Sequence, residues 1–97
     1  MTLDELTKGM AERVGRGSGL GATVKFDFGS DGVIYVDGNS DTVSNEDKDA
    51  DCTISMKLAD FVSLTQGELD PTTAFMMGKL KVQGNMGIAM KLQKILG

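Results

Sequence analysis

The stretch that most constrains the fold runs from Asp70 to Leu96, DPTTAFMMGKLKVQGNMGIAMKLQKIL, where apolar side chains are dense and no acid follows Asp70. Asp70 can accept the first free N–H groups of a helix and Pro71 fits its first position, so Thr72 to Met77 reads as a short helix stopped by Gly78. In Lys79-Leu80-Lys81-Val82-Gln83 the alternation sends Leu80 and Val82 to one face of a strand and the lysines and Gln83 to the other. Gly84-Asn85 then turns the chain into a last helix, Met86 to Leu96. Gly87, Lys91 and Lys94 fall on one side of it and Ile88, Leu92 and Ile95 on the opposite side. Two apolar helix faces therefore flank one half-apolar strand, and all three must be buried together.

The rest of the chain supplies the remainder of a sheet. Thr2-Leu3-Asp4-Glu5 has the form of a capping box, and Leu3, Leu6, Met10 and Val14 recur at helical spacing, so the first element is an amphipathic helix ended by the glycines from Gly15 to Gly21. Leu20 to Phe28 alternates cleanly, with Leu20, Ala22, Val24, Phe26 and Phe28 on one face. Gly29-Ser30-Asp31-Gly32 turns it into a second strand, Val33 to Asp37, and a weak third strand follows near Thr42 to Ser44. Asp51 to Lys57 alternates again, facing Cys52, Ile54 and Met56 inward, and Leu58 to Gln66 reads as a helix stopped by Gly67. The link from the fourth strand to the fifth contains two helices, long enough for a crossover, so a parallel pairing of those two strands is permitted. The expected class is α+β: one mostly antiparallel five-stranded sheet with helices covering one face.

Two segments invite functional readings that the spacing does not sustain. The glycine run would need glycine at position 20 for a dinucleotide fingerprint, and Leu20 stands there; a strand would also have to precede the helix, whereas here the helix comes first. Asp37-Gly38-Asn39-Ser40-Asp41 resembles the opening of a calcium loop, but the sixth and twelfth positions are Thr42 and Lys48, and strands rather than helices flank it. A linker and a solvated acidic turn are the favoured readings. With no histidine in 97 residues, the usual general base near neutral pH is missing, together with the Ser-His and Cys-His nucleophile pairs and nearly all zinc sites. Cys52, the single cysteine, lies on an inward strand face and is expected to be a buried, inert thiol. The acids Asp60 and Asp70 are better explained as helix-start residues than as catalysts. No enzyme, no metal site and no cofactor is expected.

A length of 97 residues with 40% hydrophobic and 25% charged side chains is globular composition, and residues 1–97 are expected to form one domain. No apolar run reaches the ~20 residues needed to cross a bilayer. Thr2 to Gly17 is too acidic and periodic for a signal peptide, and Lys94-Ile95-Leu96-Gly97 is not a peroxisomal tripeptide, so a soluble, cytoplasmic protein is the default expectation. A net charge of −4, one tyrosine and no tryptophan argue against nucleic acid as a partner.

Seven methionines are many for this length, and Met56, Met76, Met77, Met86 and Met90 fall in the second half. Unbranched and polarisable, methionine either fills irregular core gaps or conforms to a flexible apolar ligand. Three large apolar residues in succession, Phe75-Met76-Met77, cannot all turn inward from one short helix. Some of that surface needs another cover: the last helix, a second subunit or a lipid.

The segments ADCTISMKLADFVSLTQGELDP and AFMMGKLKVQGNMGIAMKLQ, together spanning Ala50 to Gln93, resemble the C-terminal signature of the sterol carrier protein 2 family of lipid-binding domains. The resemblance implies an apolar tunnel between sheet and helices that carries fatty acids, acyl-CoA esters, phospholipids or sterols without covalent chemistry. Carried over by position, its wall would be Phe61 and Leu64, then Phe75, Met76 and Met77, the strand residues Leu80 and Val82, and Met86, Met90 and Leu92 of the closing helix. Several members place glutamine where this chain has Met77, which implies a greasier pocket, better suited to acyl chains than to sterols. The alternative is an accessory or oligomerisation domain that binds a protein partner through the same apolar surface. Lys79, Lys81, Lys91 and Lys94, with no acid after Asp70, either solvate outer faces or form a basic patch toward an anionic membrane.

Overall fold

A computed structural model of the chain describes residues 2–17 and 19–96, with side chains described as far as residue 92. Helix α1, Leu3–Gly15, opens on the expected capping box. The Glu5 N–H donates to the Thr2 hydroxyl at 3.2 Å and the Thr2 N–H donates to the Glu5 carboxylate at 3.1 Å, which satisfies two free donors of the first turn. Leu6, Met10 and Val14 are its buried stripe.

Strands β1 (Thr23–Asp27), β2 (Val33–Asp37), β3 (Thr42–Ser44), β4 (Cys52–Met56) and β5 (Leu80–Gly84) form one sheet in the order β3-β2-β1-β4-β5. The first strand is shorter than its alternation, but Leu20 and Phe28 on either side of it remain buried in the same core. Helices α2 (Leu58–Thr65) and α3 (Pro71–Met76) link β4 to β5, and α4 (Met86–Leu96) follows. Side chains from all four helices join Val24, Phe26, Ile34, Val36, Cys52 and Ile54 in one hydrophobic cluster, so the helices cover a single face of the sheet.

The sheet is mostly antiparallel, as expected, and β4 and β5 do not take the parallel pairing that the length of their link permits. These strands are antiparallel, with Ile54 opposite Val82 and Met56 opposite Leu80. The parallel pair is instead β1 with β4. Its cause is the irregular segment after β3, which crosses the far face of the sheet. At its start the Asn45 side chain donates to the Val33 carbonyl at 2.9 Å and to the Thr7 hydroxyl of α1 at 3.0 Å; further on, Asp47 pairs with Lys25 at 3.0 Å and the Tyr35 hydroxyl donates to the Asp49 carbonyl at 3.2 Å. The chain thus re-enters the sheet at the end where β1 begins, and there Asp51 and Thr23 exchange backbone-to-side-chain bonds at 3.0 and 2.9 Å. From that start, the two-helix link returns over the opposite face and β5 runs back antiparallel.

The acidic turn has a local structural use. Asp37 accepts the N–H groups of Asn39 at 2.9 Å and Ser40 at 3.3 Å, the Asx geometry that tightens a hairpin turn. Those bonds, Asn39 first, hold its carboxyl below the usual aspartate range.

Candidate functional site

Between the sheet and helices α2, α3 and α4 lies an apolar cavity of about 270 Å³. Its floor is Phe26 of β1, Ile54 and Met56 of β4, and Leu80 and Val82 of β5. Alternation puts each of these on the helix-bearing face, and the β4–β5 register sets them side by side. The roof comes from Leu64 of α2, from Pro71, Thr72 and Phe75 of α3, and from Met86, Ala89, Met90 and Leu92 of α4.

Two helix starts hold that roof in place. The Asp70 carboxylate accepts the Thr72 N–H at 2.8 Å, and the Asn85 side chain accepts the Gly87 N–H at 2.9 Å. On α4, Met86, Ala89 and Met90 stand at spacings of three and four, so they share one face. Phe26 is fixed from behind by Phe61, with ring centroids 5.0 Å apart at 51°, a tilted arrangement that favours ring edge against ring face.

Among the described residues no ionisable side chain lines the cavity, and Thr72 is the lining residue with a polar side chain. Cys52 is buried beneath the same sheet face and does not line it; burial pushes its thiol pKa up, which disfavours the thiolate needed for nucleophilic chemistry.

Of the ten expected wall residues, Leu64, Phe75, Leu80, Val82, Met86, Met90 and Leu92 stand on this cavity. Phe61 does not: it is fully buried behind Phe26. Met76 and Met77 do not either, being 81% and 62% exposed. Consecutive helical residues diverge by about 100°, and α3 spends its single buried position on Ala74. Phe75, Met86 and Met90 both line the cavity and reach solvent, so they form its mouth.

Lys79, Lys81 and Lys91 are exposed, whereas the Lys94 side chain lies outside the described residues. The residues missed from the wall are Phe26, Ile54, Met56, Pro71, Thr72 and Ala89. Alternation had already turned Phe26, Ile54 and Met56 inward. What it lacked was the strand order that sets β1, β4 and β5 under α3 and α4. Among the described residues no helix is long and apolar enough to cross a membrane.

This geometry has known counterparts. Sterol carrier protein 2 of Homo sapiens is 51% identical over 63 residues, covering 65% of this chain and 12% of that protein. Hydroxysteroid dehydrogenase-like protein 2 of Xenopus tropicalis is 54% identical over 48 residues, covering 50% of this chain and 12% of that protein. The chain therefore spans about an eighth of the length of these curated relatives. Among solved structures, apo Sterol Carrier Protein 2 from Yarrowia lipolytica superposes with a TM-score of 0.69 at 29% identity, over 95% of this chain and 77% of that one. Sterol Carrier Protein-2 from Aedes aegypti, solved in complex with palmitate, shares the fold with a TM-score of 0.81 at 19% identity, over 100% and 97% of the two chains. The model of the SCP-2 sterol transfer family matches residues 3–97, and the chain belongs to that family.

Proposed function

We propose that this chain binds a single long acyl chain in the cavity between β5, α3 and α4 and carries it between membranes without chemical conversion. The observation that carries the reading is the cavity itself: about 270 Å³, walled by aliphatic, aromatic and thioether groups apart from the Thr72 hydroxyl, with no acid or base among the described residues. A wall of this kind binds by excluding water from an apolar ligand.

Size favours an acyl chain over a sterol. An apolar cavity of ~150 Å³ holds benzene, so about 270 Å³ takes roughly eleven carbons. A flexible chain can fill that space with its distal end and leave its head at the mouth, while a rigid four-ring sterol has to enter whole. Burying ten or so methylenes at ~0.8 kcal/mol each yields on the order of 8–10 kcal/mol before association costs, a driving force with little head-group selectivity. The palmitate complex of the Aedes aegypti protein supports the same ligand class.

The test is titration of delipidated protein with palmitate in the absence of membranes. One saturable site is expected, weakened at least ~10-fold by Val82→Asp, because that half-buried edge-strand side chain would place a charge in an apolar cavity. Circular dichroism of the variant checks that it remains folded. Absence of saturable binding in the parent, or undiminished binding in folded Val82→Asp, would sink the reading. In the alternative, accessory-domain reading, favoured by the exposure of Met76 and Met77, the purified chain binds no acyl ligand and forms a stable complex with a protein partner.

A further inference from the structure

Helix α3 ends in a fixed projection. The Gly78 N–H donates to the Phe75 carbonyl at 3.1 Å and the Lys79 N–H donates to the Ala74 carbonyl at 2.9 Å, with Gly78 at φ 73°. This is the Schellman closure, in which a left-handed residue lets the chain satisfy the last free carbonyls of the helix. Met76 and Met77 are consequently held in solvent by a closed cap, at 81% and 62% exposure, beside Phe75 at the cavity mouth. The position after the glycine, where an apolar side chain commonly packs back on the helix, is here the exposed Lys79. The sequence thus leaves the apolar tip uncovered and sets a cation next to it.

Charge around this tip is one-sided. The chain carries −4 overall, yet α3, β5 and α4 contain no acid. Lys79, just before β5, and Lys81, on it, are exposed at the edge of the sheet with their side chains on the face away from Leu80 and Val82, and Lys91 is exposed next to Met90 of the mouth. Among the described residues the ion pairs join Lys8 to Asp4, Lys25 to Asp47 and Lys48 to Glu46, and these three lysines take part in none.

We propose that Phe75-Met76-Met77 is a bilayer-insertion element: Met76 and Met77 enter the boundary between headgroups and acyl chains of an anionic membrane, and Lys79, Lys81 and Lys91 engage the surrounding anionic headgroups. Its purpose, setting the mouth against the bilayer so that a ligand passes without crossing water, rests on the acyl-binding reading. The charge pattern selects this occupant over a second copy of the chain. A two-fold contact centred on the tip would bring lysines against lysines with no acid from α3, β5 or α4 to pair them, whereas an anionic surface is complementary to the whole patch.

Three proteins are compared: the parent, Met76→Asp with Met77→Asp, and Lys79→Glu with Lys81→Glu. Palmitate binding is measured in vesicle-free buffer. Partition is measured separately, by cosedimentation with phosphatidylcholine vesicles with and without phosphatidylserine. Because none of the four substituted residues lines the cavity, both variants should bind palmitate as the parent does. On anionic vesicles the aspartate pair should partition at least ~10-fold less. The glutamate pair should lose ~25-fold or more, since each lysine near an anionic surface is worth roughly fivefold. That loss should shrink at ~1 M salt, where the Debye length is ~3 Å. Parent-like partition of the aspartate pair, or equal partition of the parent onto neutral and anionic vesicles, overturns the proposal. So does a parent dimer that the aspartate pair disperses, which would assign the tip to a second copy. Failure of the parent to bind palmitate counts against the cavity reading alone, because sedimentation scores insertion without any ligand.

Discussion

Gly84 closes β5 at φ 102°, and a Cβ built there would stand 2.4 Å from the Asp51 carbonyl oxygen. That oxygen belongs to the backbone at the start of β4, so it cannot move aside as a side-chain tip would. Gly84→Ala should lower stability by at least ~2 kcal/mol, combining left-handed strain with the clash. Gly67→Ala is the control, since Gly67 shares a positive φ of 75° but has no atom within 4 Å of the added carbon. Urea unfolding of both variants checks this, and equal losses would show that close approach to Asp51 is not the cause. Residue-level meaning was only partly legible in the sequence. Glycine, proline and capping residues announce themselves by conformational need, so Asp70, Pro71 and Gly78 were readable. Phe61, Met76 and Met77 stand off the cavity lining, because apolarity says that a side chain seeks cover and not which cover it finds. A rotation of about 100° between neighbours on α3 separates Phe75 at the mouth from Met76 in solvent.

Elements were legible wherever periodicity ran unbroken: α4 spans Met86–Leu96 and the short β3 spans Thr42–Ser44, as the pattern implies. Pairing was less so, because the choice between β1 and β5 as the parallel neighbour of β4 depends on the path of the irregular segment after β3. Its anchors, Asn45, Asp47 and Asp49, carry no period for a sequence reading to detect. The turn between β2 and β3 yields a pH prediction. Bonds from the Asn39 and Ser40 N–H groups depress the Asp37 carboxyl below its ordinary value. A depressed carboxyl stabilises the fold above its unfolded pKa of ~3.9, and that contribution disappears as pH falls through the lower folded value. Asp37→Asn keeps an oxygen acceptor for the same turn but cannot titrate. Thermal unfolding of the two proteins should therefore show a gap at pH 6 to 7 that narrows progressively below pH ~4. A gap that stays constant down to pH ~2 would mean that the depression of Asp37 is not coupled to folding.

Across the whole molecule, one sheet face is covered in two different ways. Helix α1 contributes Leu6, Met10 and Val14 to the buried cluster and no residue to the cavity wall, while α3 and α4 stand over β4 and β5 and leave the cavity between. The space lies on the side where the sheet has its β5 edge, which also carries the mouth residues Phe75, Met86 and Met90. An unfilled apolar cavity forfeits dispersion contacts along its lining, at ~24 cal/mol per Å³ in closed cores and less where solvent enters. Stability of the free protein and capacity for ligand are thus opposed, and Ala89 is where they can be separated: it is half-buried on α4 and lines the cavity. Ala89→Trp should fill part of the space from the roof, raising the melting temperature of ligand-free protein by up to about 5 °C, the range expected for ~1 kcal/mol in a domain of this size. Palmitate at ~100 times its dissociation constant should add ~2.7 kcal/mol to the parent by mass action, and that ligand-induced rise should be lost in the variant. If palmitate raises the melting temperature of Ala89→Trp as much as that of the parent, the ligand does not occupy the space beneath α4.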